Sequence, residues 1–135
     1  MFPVSTESFN VKLRELYNSY VEVLEMGDVE KALETGVKVL EELLTLTRKN
    51  VLENIANPAV KEMAVEILLH YEKELSFVKG AREAVRSMPP LYTTTVADRA
   101  LETLSSCING LFNFAVGALL VIADLLSYAD HQALS

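Results

Sequence analysis

Apolar residues recur at three- and four-residue steps from the start of the chain. Phe9, Leu13, Leu16, Tyr20 and Val23 fall on one side of a helix, while Glu7, Lys12, Arg14, Glu15, Glu22 and Glu25 fall elsewhere. Gly27 predicts the stop, because glycine accepts the left-handed conformation that follows a last helical turn. Asp28 is then placed to cap a second helix. That helix carries Val29, Leu33, Val37, Leu40, Leu44, Val51 and Ile55 on one face, with acids early and bases late, as the helix dipole favours. Asn57-Pro58 is a stop-and-restart signal, an N-cap followed by proline at the first helical position.

The third stripe is Val60, Ala64, Ile67, Tyr71, Leu75, Val78 and Val85, and Pro89-Pro90 breaks it. Leu91 to Thr94 reads as a short extended connection, and Thr95-Val96-Ala97-Asp98 has the form of a capping box. The pattern therefore predicts one domain over 1–135, with helices at about 6–26, 28–55, 58–87 and 96–129. Its fold class is all-α: four long helices in an antiparallel up-down-up-down bundle with short links.

The fourth helix differs from the others. Residues 103–123 contain no charged side chain, and no lysine or arginine follows Arg99. A membrane span needs about twenty predominantly apolar residues. Here Thr103, Ser105, Ser106, Asn109 and Asn113 occupy the first half, and no basic flank sets an orientation, so the pattern argues against a span. Glu102, Ser106, Asn109, Asn113, Asp124, Ser127 and His131 form a narrow polar stripe, with Gly117 and Leu120 bridging its gap. Such a stripe is a wet edge, a polar seam that sets register between subunits, or the lining of a ligand site. Phe112, Phe114, Leu119, Val121, Ile122 and Leu125 cannot all point into one bundle, and large exposed apolar patches mark partner surfaces. The expected interface is thus Asn109, Asn113, Gly117, Leu119, Ile122 and Leu125, in a homodimer or higher homo-oligomer packed through the C-terminal helix.

Composition narrows the function classes. A net charge of −7 opposes phosphate-backbone binding, which draws on clustered Lys and Arg, and opposes docking on anionic lipid. Cys107, the single cysteine, allows no intrachain disulfide, and with no basic-then-apolar leader at the start a cytoplasmic setting is expected.

Three constellations offer chemistry. Glu62, Glu66, His70 and Glu74 stand at four-residue steps on the third helix, and Glu62, Glu66 and His70 are the residues that would hold zinc or iron if the row is more than a solvated face. Di-metal bundles, however, draw Glu-x-x-His from two helices, and this row has no counterpart. Lys79, Arg82 and Arg86 form a basic cluster that compensates the helix dipole or meets an acidic partner. Asp124, Ser127 and His131 have the residue types of a hydrolytic triad, but one helix cannot supply the required geometry. No phosphate-binding loop, dinucleotide fingerprint or C-x-x-C is present.

The segment Leu24-Glu25-Met26-Gly27-Asp28-Val29-Glu30-Lys31-Ala32-Leu33-Glu34 resembles the first hairpin of HEPN-type helical domains, where a helix also ends in Gly-Asp before an Ala/Leu-rich one. The resemblance covers that hairpin only. HEPN ribonucleases carry an arginine followed about four to six residues later by a histidine, and neither His70 nor His131 has an arginine at that distance upstream, so the resemblance does not imply nuclease activity. The resulting expectation is a non-enzymatic, self-associating interaction or adaptor bundle without a cofactor. The alternatives are a small-ligand or metal-binding bundle, and a degenerate HEPN-like RNA-associated domain.

Overall fold

The computed structural model describes the backbone over residues 6–134 and the surroundings of side chains over residues 8–89 and 93–118. It is an all-α bundle of four helices packed against one another: α1 (Thr6–Glu25), α2 (Val29–Asn50), α3 (Pro58–Ser87) and α4 (Pro90–Leu134), with a 3-10 turn at Leu52–Asn54.

The punctuation works as its residue types dictate. Gly27 has φ of 75°. Asp28 accepts a 3.1 Å bond from the Lys31 N–H, and Asn57 accepts from Ala59 and Val60 at the start of α3. Two boundaries differ from the sequence pattern. The second helix stops at Asn50 rather than near residue 55, because asparagine side chains there bond to backbone carbonyls. Asn50 Nδ2 donates to the Leu46 carbonyl and Asn54 Nδ2 to the Asn50 carbonyl, and such local bonds compete with the helical ladder. The fourth helix begins at Pro90, not near residue 96, so the expected extended piece is helical. Pro89 holds Met88 extended (φ −84°, ψ 149°), as the residue before proline must be, and a proline suits the first helical position next to it.

Contacts between α2 and α3 run in opposite numerical order: Glu34 with Arg82, Glu41 with Lys79, Arg48 with Glu72. Tyr17 meets Asn109 while Tyr20 meets Ser105, so α1 and α4 also run oppositely. The most extensive packing joins α2 to α4, with α1 and α3 on either side of that pair. Gly36 makes this approach possible. A Cβ there would lie 2.7 Å from Tyr20 Cε1 and closer still to the δ-methyl of Leu104. Leu40, Leu43, Leu104, Ile108 and Leu111 are fully buried around the seam. The α3 stripe is shifted at its start. Val60, expected in the core, is 49% exposed, whereas Leu68 is buried.

The two helix-interior glycines with opposite surroundings should respond oppositely to the same change. Gly36→Ala should lower unfolding free energy by about 1–3 kcal/mol, since the added methyl must displace buried side chains. Gly80, exposed with nothing within 4 Å of a built Cβ, should gain up to about 1 kcal/mol as alanine. Urea unfolding of both variants measures the pair.

Candidate functional site

The polar stripe of α4 forms an outer edge of the bundle. Glu102, Ser106, Asn109, Asn113 and Gly117 are exposed along it. One member is already engaged within the chain. The Tyr17 hydroxyl donates to Asn109 Oδ1 at 2.6 Å, and the Tyr17 ring packs on Phe112 with centroids 4.8 Å apart. A second tyrosine of α1, Tyr20, shares a 2.5 Å hydrogen bond with Ser105. These pairs tie α1 to one flank of α4, so Asn109 acts first as an intrachain anchor. Asn113 and Gly117 remain on the open edge. The side chains of Leu119, Ile122 and Leu125 lie outside the described residues, as do those of Asp124, Ser127 and His131.

On the other flank, a groove of about 500 Å³ separates α3 from α4 and is lined by His70, Tyr71, Glu74, Glu102, Ser106 and Cys107, among others. Gly110 lets the two helices close here, for its missing Cβ is replaced by the Tyr71 hydroxyl. Burial pushes the Tyr71 phenol up, with the neighbouring Cys107 thiol adding to the effect. Burial likewise pushes the Cys107 thiol up to about 11, and Glu74 adds to it. A thiol so placed is a poor nucleophile, because the thiolate is the reactive form. The groove thus offers hydrogen bonds from a tyrosine, a histidine and two glutamates, without an activated nucleophile.

The candidate metal row is not gathered into a site. Glu62, Glu66 and His70 are exposed on α3, and among the described residues no three His, Cys, Asp or Glu side chains converge as a metal ion requires. Each member of the basic cluster stands within ion-pair distance of a carboxylate, Lys79 of Glu41 at 3.5 Å, Arg86 of Glu83 at 3.2 Å and, most loosely, Arg82 of Glu34 at 3.9 Å. Exposed pairs of this kind contribute at most about 1 kcal/mol each, so the Lys79 and Arg82 pairs orient α3 on α2 more than they stabilise it, while the Arg86 pair lies within α3. Reading the sequence alone missed Tyr17, Tyr20 and Ser105 as partners. Their signal was a tyrosine pair at i,i+3 on α1, with Tyr20 on the apolar stripe and Tyr17 beside it, since a buried tyrosine hydroxyl requires a partner.

Cys107 should therefore alkylate with iodoacetamide far more slowly in the folded protein than in urea at neutral pH. Its raised pKa also carries a stability signature. The unfolded thiol ionises near 9.0 and the folded one near 11, so the unfolded chain releases its proton first as pH rises. Stability should be unaffected by this group below about 9 and fall between about 9 and 11, and Cys107→Ala should lack that fall in pH-dependent urea titrations.

Compared with known proteins, the chain matches no protein-family model, and no curated protein or solved structure is significantly similar to it.

Proposed function

We propose that the protein is a self-associating helical-bundle interaction module that pairs with a second copy of itself through the C-terminal part of α4. The observation that carries this reading is a mismatch of length. The helix α4 has 45 residues and α3 has 30, which makes α4 longer by roughly 23 Å. Only Met88 and Pro89 link the two, so the excess falls at the C-terminal end of α4. Residues 114–123, leading into that excess, carry no polar side chain.

An apolar helix that outruns its neighbours needs a further surface to bury it. Residues 114–123 are too few to span a bilayer, which takes about twenty predominantly apolar residues, and Asn113 and Asp124 bound them, which favours a protein surface over lipid for that role. A second copy is the economical partner, because a two-fold axis lets one stripe cover itself. Exposed Gly117 allows close helix approach, and exposed Asn113 can pair with its symmetry mate to set register.

Sedimentation at micromolar concentration should find a dimer or higher oligomer. Ile122→Glu should dissociate it while helical circular dichroism persists, since a carboxylate buried without a partner costs several kcal/mol, on the order of 3 to 5. Asn113→Leu should keep or raise stability while broadening the distribution of oligomers. A stable wild-type monomer would end this reading. So would an Ile122→Glu variant that unfolds outright beside an Asn113→Leu variant with unchanged association, for that pattern belongs to the core of a monomer.

A further inference from the structure

At the opposite end of the bundle, where α3 hands over to α4, the described residues leave a cleft between them. A cleft of about 340 Å³ opens among the first turn of α2, the last turns of α3 and the first turns of α4. That volume sits at the small end of pockets that hold small molecules, roughly 300–1,000 Å³. Its apolar wall comes from Val29, Leu33, Val85 and Ala97. Its charged groups come from three different helices: Arg82 and Arg86 from α3, Glu30 from α2 and Asp98 from α4.

Arg82 is the group whose bonding is incomplete. Its side chain is 24% exposed, and one η-nitrogen lies 3.9 Å from Glu34, at the outer limit of an ion pair. Its Nε is shut off from solvent and has no hydrogen-bond partner among the described residues, so the two η-nitrogens are what the guanidinium can turn toward a ligand. A guanidinium presents its N–H groups as a planar fork that fits a carboxylate with two parallel bonds. The other charges restrict what that carboxylate can belong to. Two arginines face two carboxylates, so a simple anion would meet Glu30 and Asp98, and a simple cation would meet Arg82 and Arg86. A ligand carrying both charges on a small frame satisfies each. The apolar wall supplies burial for a hydrocarbon side chain.

We propose that this cleft binds a free α-amino acid with an apolar side chain: its carboxylate on the Arg82 guanidinium, its ammonium at the Glu30 or Asp98 carboxylate, and its side chain against Val29, Leu33, Val85 and Ala97. The site lies at the end of α4 away from residues 119–134, so it stands or falls separately from self-association.

Calorimetric titration of the full chain with L-leucine and L-phenylalanine tests it. The outcome expected is saturable binding of one ligand per chain for at least one of them. The single-charge analogues of leucine, 4-methylpentanoate and isopentylamine, should each bind at least about tenfold more weakly. Arg82→Gln should weaken binding by about tenfold or more, and Arg82→Lys should recover only part of it because a point charge replaces the fork. Glu30 and Asp98 are exposed, so Glu30→Gln and Asp98→Asn should leave the thermal melt unchanged and supply the second reading if Arg82→Gln fails to fold. At least one of those two should weaken leucine binding while sparing 4-methylpentanoate. Absence of saturable binding up to about 10 mM of either amino acid overturns the proposal. So does equal affinity for 4-methylpentanoate, which would make the cleft an anion site only, and so does binding indifferent to all three positions.

Discussion

The close packing of α2 against α4 at Gly36 sets the arrangement of everything else. A helix pair can close only as far as its bulkiest contact allows, and here the contact on one side is a hydrogen atom. Leu104 fills the space a Cβ would take, with Tyr20 beside it, and the fully buried leucines and Ile108 collect around that point. The remaining two helices then occupy the two flanks of the α2–α4 pair. Helix α1 docks with hydroxyl groups as well as rings, through Tyr17 to Asn109 and Tyr20 to Ser105. Helix α3 docks through Leu68, Leu75 and Val78 and is trimmed by ion pairs to α2.

This arrangement gives the bundle two unlike ends. At the α3–α4 turn, three helix termini come together around a cleft whose wall is apolar and whose rim carries both signs of charge. At the other end α4 runs on past the length of its neighbour, and residues 114–123 leading into that excess carry no polar side chain. The net charge of −7 makes two copies of the chain repel one another, so any pairing has to be driven by apolar surface, and the same charge does not hinder a ligand of zero net charge.

The groove between α3 and α4 shows why a collection of reactive residue types is not a reactive site. His70, Glu74 and Cys107 line one space, yet burial and a nearby carboxylate both disfavour the thiolate. The same holds for the row of Glu62, Glu66 and His70, where helical spacing aligns ligands along one element without bringing a second element to meet them.

Local chemistry was legible in the chain. The stop at Gly27, the caps at Asp28 and Asn57, the span of α3 and the aliphatic stripes of α1 and α2 all follow from backbone preferences and a 3.6-residue period, which depend on near neighbours only. Where near neighbours compete, reading was less secure: asparagine bonding cut α2 short at Asn50, and Pro90 started α4 earlier than the threonine cap. The sequence by itself determined that the fold is a bundle of helices, because period and capping are written residue by residue. Only the tertiary structure decided that α2 shares the centre with α4, that Gly36 and Gly110 are points of contact and not weak spots, that Val60 faces solvent, that Asn109 answers Tyr17, and that Arg82 opens into a cleft. Each of these depends on which residues from distant parts of the chain come to lie opposite one another, and a helical period specifies a face without naming its partner.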